Sequence, residues 1–464
     1  MGTRRRLLAL LFVLALVVAA CGDDSGDETT TTAGGDGATE TTEAADTTET
    51  TEAAETTETT EASAEPMDIL TDVGVDLEAG TIKVGLLSDL TGPFGPLVTP
   101  IVAGQEAYWQ NVNANGGING LMVELEVRDT TYDIPTHVTL YEELKDQVAA
   151  FGHSTGTPQT VAINDALQAD GILAIPLTWY SGWTDPAINA NLMHHGAPYC
   201  IEAMSMLEYL KAEAEAKGID SPTVAIASVA GDYGLDSAAG AVLAADQLGL
   251  NIVYQGEGAI VGGQDNTPVG AAVAESGADI VWATATPGLF GEVYGGALAE
   301  GFEAIWSGAG PSWNPAFLDG AIADAVQRDL YIPFYAQTWG GDSPGAQQVR
   351  ELMGDAPPSD YYGEGFVEAI ILDAALRKAY DNGDMTQAGI LAAAKSLESV
   401  TFDGLAPDES YVGEPNDQLQ RKINIYRPDK ADREAGGTGS ALIESDYTSQ
   451  IAADYVFEGA CVEP

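Results

Sequence analysis

The chain has 464 residues, 71 of them acidic and 18 basic, for a formal net charge of −53 at pH 7. So large an acidic excess excludes nucleic acid, heparin-like polymers and anionic membrane surfaces as partners. The stretch from about residue 81 onward is long enough for two domains of ordinary size.

Arg4, Arg5 and Arg6 form a positive start, Leu7 to Val18 is an unbroken apolar run, and small residues precede Cys21. This is the pattern of a secretory signal over residues 1–20, too short for a membrane-spanning helix. The junction LVVAAC resembles the bacterial lipobox, which makes Cys21 the expected lipid anchor; an ordinary cleavage site that happens to precede a cysteine is the alternative. Sec and twin-arginine export both suit the triple arginine. Residues 21–80 read as a disordered tether, since most of this stretch is Thr, Glu, Asp, Ala, Gly and Ser with a visible TTEAADTTETTEAAE repeat,. Setting aside the 14 acids of residues 23–65 and the three signal arginines leaves 57 acids against 15 bases, about −42, on the body. The threonines also permit O-glycosylation.

The body alternates apolar runs with helical stretches. TIKVGLLSDL reads as a strand, AGQEAYWQNVNAN as a helix stopped by Gly116-Gly117, LMVELEVRD as a strand and THVTLYEELKDQ as a helix. VAAFG and GILAIPLT are buried strands flanking a helix that opens near Pro158. A second series has strands TVAIASVA, NIVYQGEG, ADIVWATA and AIWSGAG, with helices over 238–248, 269–275 and 293–299. Then come LYIPFYAQ, helices over 347–353, 362–380 and 389–397, and the strand KINIYRP. Strands and helices in this order predict parallel doubly wound sheets in two lobes, with ligands bound outside the carboxyl ends of the strands.

Gly152-His153-Ser154-Thr155-Gly156 matches the G-x-S-x-G pattern of serine hydrolases. That chemistry needs a histidine late in the chain, yet the four histidines are His137, His153, His194 and His195, all before the second series. We therefore read the chain as a non-enzyme. Ser154, Thr155, Gly156 and Thr157 instead sit between a strand and a helix opening at Pro158, where hydroxyls and free N–H groups suit an anion. A plain helix cap at Thr157 is the simpler reading of the same loop. His194-His195 lacks partners at metal-ligand spacing, so a surface or hinge position is expected, with no metal and no cofactor. Cys200 and Cys461, the cysteines left after Cys21, are candidates for a disulfide in an exported protein; two unpaired thiols are the alternative.

IKVGLLSDLTGPFG followed by AYWQNVNANGGINGLMVELEVRDTTYD resembles the opening of the leucine/isoleucine/valine-binding protein family, type I periplasmic solute-binding proteins of ABC importers. Asn113, Gly116, Gly117, Gly120, Asp129 and Asp133 match its pattern in register, and the resemblance continues through FGHSTGTPQT, GILAIP, GDYG and the strand near Ile423. It implies an α/β fold of two Rossmann-like lobes with parallel sheets joined by a three-segment hinge. The first lobe would span 81–199 and 331–420, the second 200–330 and 421–464. The resemblance further implies ligand contacts from Ser154 to Thr157, from Thr178, Trp179 and Tyr180, and from Tyr233 and Thr286 across the cleft, with Phe94 and Leu97 as an apolar lid. Where the amino-acid binders carry an acid after the strand corresponding to AIWSGAG, this chain has Ala309, which puts an α-amino acid in doubt. Trp179, Tyr180 and Trp183 offer aromatic faces instead, although one or two of them could pack as core. The expected protein is a monomer that is exported and lipid-anchored at the outer face of the cytoplasmic membrane, or periplasmic. Its partners would be a small-molecule solute and ABC permease subunits. A ligand-sensing subunit on the same fold is the alternative, and a surface hydrolase using Ser154 the least favoured.

Overall fold

The computed structural model describes residues 68–462. The signal, Cys21 and the tether up to residue 67 lie outside the described residues. Two short strands come first, β1 (Leu70–Thr71) and β2 (Val75–Asp76). The sequence reading places both in the tether, but Val75 is buried and pairs antiparallel with Ile82 in the first sheet. Strands of two residues are too short to carry a period.

The first lobe then runs β3 (Thr81–Ser88), α1 (Gly95–Ala114), β4 (Met122–Asp129), α2 (Ile134–Leu144), β5 (Ala150–Thr155), α3 (Thr157–Asp170) and β6 (Ala174–Leu177). Its strands lie parallel in the order β4-β3-β5-β6. The helix α1 begins well before the expected AGQEAYWQNVNAN, because Pro96 occupies its first turn, where no N–H is needed, and Pro100 is accommodated inside it,.

The second lobe repeats the plan with α4 (Tyr199–Ala216), β7 (Thr223–Val229), α5 (Asp232–Leu248), β8 (Asn251–Ile260), α6 (Thr267–Ser276), β9 (Ile280–Thr284), α7 (Pro287–Ala299) and β10 (Ile305–Ser307). All four strands are parallel, in the order β8-β7-β9-β10. Each lobe thus places its second strand at an edge beside its first.

The remaining chain forms α8 (Ala323–Asp329), β11 (Ile332–Phe334), α9 (Pro344–Met353), α10 (Tyr362–Asp381), β12 (Asp384–Met385), α11 (Gln387–Ala394), β13 (Ile423–Pro428), α12 (Lys430–Glu434), β14 (Ser440–Tyr447) and α13 (Gln450–Asp454). An antiparallel sheet β11-β13-β14 stands apart from the parallel alternation. Its last strand escapes sequence reading because Leu442 and Ile443 are exposed next to Glu444, so no buried face repeats along it.

Two helix pairs set the cleft. A Cβ on Gly365 of α10 would lie 2.0 Å from the Ile101 carbonyl, and one on Gly104 of α1 would lie 2.4 Å from the Tyr362 carbonyl. Glycine at both positions lets α10 lie directly on α1. In the second lobe a Cβ on Gly240 of α5 would meet the Cys200 backbone at 2.2 Å, which brings α4 and α5 together in the same way. Cys200 at the start of α4 is disulfide-bonded to Cys461.

Candidate functional site

The wall of the cleft starts at a turn that the sequence organises locally. The buried Asp89 carboxylate accepts from the N–H groups of Gly92 (2.6 Å) and Phe94 (2.8 Å), which closes the turn before α1. Phe94 then places its ring 4.9 Å from that of Tyr132 in its own lobe and 5.9 Å from Tyr233 of the other. One phenyl ring thereby touches both sides of the cleft. Leu97, Val98 and Ile101 continue this apolar edge along α1.

The loop from β5 to α3 forms the next wall. Gly156 caps α3 with φ of 96°, a backbone conformation that glycine adopts without strain,. Most donors here already have partners. The Gly156 N–H donates to the Leu177 carbonyl (3.3 Å), and the Thr157 and Thr178 hydroxyls bond each other. Thr155 Oγ1 lies 2.6 Å from His153 Nε2 and accepts from the Asp89 N–H at 3.3 Å. Behind it, Glu368 Oε2 is bonded to His153 Nδ1 (2.8 Å) and Gln105 Nε2 (2.7 Å). Burial pushes the Glu368 carboxyl up, but the adjacent His153 outweighs this and holds it below its usual value,.

Across the cleft, α4 and α5 contribute Tyr199, Glu202 and Tyr233. The Trp179 carbonyl accepts from the Tyr199 N–H at 2.7 Å, tying the loop after β6 to the start of α4. Trp179, Tyr199 and Tyr233 stand edge to face in series, with ring centroids 5.9 and 4.9 Å apart. The Tyr233 hydroxyl is held by the Ala285 carbonyl and Ser312 Oγ. Glu202 Oε1 accepts from the Gly310 N–H at 3.1 Å. A carboxyl from α4 thus meets the loop just after Ala309. Burial, only partly offset by that N–H, pushes Glu202 up to about 8.

Together these groups line a cavity, partly open to solvent, whose wall also includes Phe334, Tyr335, Tyr361 and Glu364. Among the described residues, Trp179 Nε1, the Tyr335 hydroxyl and Glu364 Oε2 are buried there without a hydrogen-bond partner. Burial and the nearby Glu368 raise Glu364 well above the usual carboxyl range.

Of the residues singled out in the sequence, Phe94, Leu97, Thr155, Gly156, Thr157, Thr178, Trp179 and Tyr233 converge on this cavity. Ser154, Tyr180 and Thr286 are not among its lining residues. Ser154 is wholly buried, with its hydroxyl on His137 Nε2 (3.2 Å) and Thr160 Oγ1 (2.8 Å). A strand turns alternate side chains to opposite faces, so Thr155 and Ser154 cannot both reach the cleft. Tyr180 and Trp183 pack in the core beneath the loop, Tyr180 donating to the Val462 carbonyl and Trp183 Nε1 to the Thr178 carbonyl. Thr286 precedes α7 as its N-terminal cap residue, half-buried.

The Ser154–His137 pair is closed to substrate, both residues being 0% exposed. Burial pushes His137 down to about 3, and its Nδ1 has no partner among the described residues. A nucleophile of the triad kind needs an accessible serine and an acid orienting the histidine. His194 and His195 are buried rather than at the surface, with the His195 ring 5.7 Å from that of Tyr335. Among the described residues, the grouping of potential metal-ligating atoms is Cys200, Asp236 and Cys461, and its two sulfurs are bonded to each other.

A family model described as periplasmic binding protein matches residues 81–435. A fatty acid ABC transporter substrate-binding protein from Thermomonospora curvata is similar at 26% identity and a TM-score of 0.75, covering 84% of this chain and 97% of that one. A branched-chain amino acid ABC transporter protein from Thermus thermophilus, solved with bound valine, superposes at a TM-score of 0.68 and 20% identity, covering 80% of this chain and 97% of its own. An R. palustris solute-binding protein in complex with 4-hydroxybenzoate superposes at 0.64 and 17% identity, over 80% of this chain and 97% of its own. At these last two identities the likeness shows the fold alone. No curated protein matches the sequence.

Proposed function

The chain belongs to the periplasmic binding protein family, and from that premise we propose that it captures a small solute between its lobes for an ABC importer. The solute has an apolar or aromatic body of the size of a branched-chain amino acid or a related amide, carboxylate or aromatic compound. A lipid on Cys21 holds the protein at the outer face of the cytoplasmic membrane, and the tether sets its reach to the permease.

The observation that carries this reading is a cavity walled by aromatic residues of both lobes, three of whose lining residues, Trp179, Tyr335 and Glu364, carry a buried polar atom without a partner among the described residues. Buried polar groups without partners are costly in a folded protein unless something else supplies the bond. A ligand that bridges the lobes supplies it and favours the closed shape over the open one.

A thermal-shift screen of the mature chain against amino acids, amides, amines and aromatic acids tests the reading. A solute that binds only the folded state adds about 2.7 kcal/mol of stability at a hundredfold excess over its Kd. The shift disappears in Trp179→Ala and Tyr233→Ala if the cleft is the site. Cys21→Ala in the producing cell moves the protein from the membrane fraction to the soluble one if the anchor is as proposed.

A further inference from the structure

We propose that the solute of this cleft is an organic cation, an amine on an apolar or aromatic body without a carboxylate of its own, paired with Glu202 and Glu364; this rests on the solute-capture reading above.

The charge inventory of the cavity is one-sided. Glu202 and Glu364 line it, while no lysine, arginine or histidine is among its lining residues. Two further carboxyls, Asp89 and Asp232, act on the Tyr132 hydroxyl in the same wall. An anionic solute would enter a space whose lining offers two carboxyls and no basic side chain to neutralise it,. The donors expected for an anion at the β5–α3 loop are largely occupied, by the Leu177 carbonyl, His153 and Thr178, which leaves first-turn N–H groups of α3,. An amino acid would therefore satisfy its ammonium far better than its carboxylate.

The open valences point the same way. Glu364 is 3% exposed, and its Oε2 has no partner among the described residues. Trp179, Tyr199, Tyr233, Phe334, Tyr335 and Tyr361 line the same cavity as the two carboxyls, and aromatic rings attract a desolvated cation through their quadrupole.

Each carboxyl has identifiable neighbours. Glu364 faces Tyr335 after β11, Tyr361 before α10 and Glu368 on its own helix, with His153 and His195 on the far side of Glu368. Glu202 faces Tyr233 of α5 and the N–H of Gly310 after β10. Burial, the largest cause for both, raises Glu202 to about 8 and Glu364 well above its usual range, so the empty cleft favours the protonated form of each,. An entering ammonium stabilises the ionised form, so each carboxyl that ionises sends its proton to solvent as the ion pair forms.

Isothermal titration calorimetry of the mature chain at pH 7, in phosphate and in Tris, measures that proton release. The probes are phenethylamine and cadaverine as amines, leucine, octanoate as an anion, and isovaleramide as a neutral polar solute. The expected result is binding of an amine with release of about one proton for each carboxyl that ionises. Its affinity falls at least tenfold in Glu202→Gln and in Glu364→Gln, each variant first shown to melt cooperatively. Preference for octanoate, isovaleramide or leucine, with no proton release and no loss in the glutamine variants, overturns the cation assignment and leaves solute capture standing. Silence from every probe in a cooperatively folded protein counts against both.

Discussion

Glu364 and Glu368 sit one turn apart on α10, equally buried, and the fold treats them in opposite ways. Glu368 is gripped through Oε2 by Gln105 and His153 behind the cavity wall. His195 Nε2 lies 3.9 Å from its Oε1, which has no hydrogen bond among the described residues, and although burial raises the carboxyl, the two histidines hold it below its usual value. Glu364 lines the cavity, has no hydrogen-bond partner at Oε2 among the described residues, and is raised by burial and by Glu368. A buried carboxyl beside histidines is favoured in its charged form, whereas one beside another carboxyl is pushed toward its neutral form at a cost in stability,. Function is legible where that cost has been left standing.

The largest effect expected from this contrast is in Glu368→Ala. It strands His153 and Gln105 in the core, so urea unfolding should show a loss of about 3–5 kcal/mol. A loss below about 1 kcal/mol would place the two glutamates on the same footing and break the comparison.

A middle effect lies in pH. Glu202 titrates near 8 when folded, well above its ordinary value of 4.5, so the native state holds a proton that the unfolded chain has given up. Stability of the empty protein is therefore full at low pH as far as this group is concerned, and falls as pH rises toward 8. Burial shifts Glu409 and Asp236 in the same direction, to about 8 and about 7. Burial holds His137 and His194 near 3, so the unfolded chain protonates them and they oppose the fall at pH 6.5, an offset that is smaller than the three acids' slope and fades by about pH 7.5,. Melting temperatures from pH 6.5 to 8 should decline, at up to roughly 1 kcal/mol per pH unit for each group. Glu202→Gln should flatten the slope.

The smallest effect is expected in Glu364→Gln without ligand. A neutral carboxyl and an amide are nearly isosteric, so denaturation at pH 7 should move by no more than about 0.5 kcal/mol. A large loss would mean that Glu364 is structural after all.

Much of the architecture was readable because alternation of apolar strands with 3.6-period helices is a local signal. The strands of both parallel sheets, and α10 to within a residue, stand where that signal puts them. The loop Thr155 to Thr157 was readable as a cleft element, but not the fact that its donors are already occupied, since Leu177 and His153 meet it only in the folded sheet. The helix α4 was overlooked although YCIEAMSMLEYLKAEAEAKG carries the signal, with Ile201, Met204, Leu207 and Leu210 on one face and Gly218 just past its end. With it went Glu202. Glu364 lies in a helix that the sequence does announce, yet an acid in a helix ordinarily faces water. Only the close crossing at Gly104 and Gly365 puts it inside.

The bond between Cys200 and Cys461 joins residues 261 apart and encloses the whole second lobe. A chain that emerges from its N-terminus offers Cys200 long before its partner. During that interval α4 and α5 have to assemble around a lone thiol that is fully buried in the finished protein. Ring closure is thus a late event, available only to a chain whose last segment has come back to Ser181 and Tyr180, where Cys461 N–H and the Val462 carbonyl dock. The bond therefore makes the far end of the chain a permanent part of the wall that α4 and α5 build, whatever ligand the cleft holds.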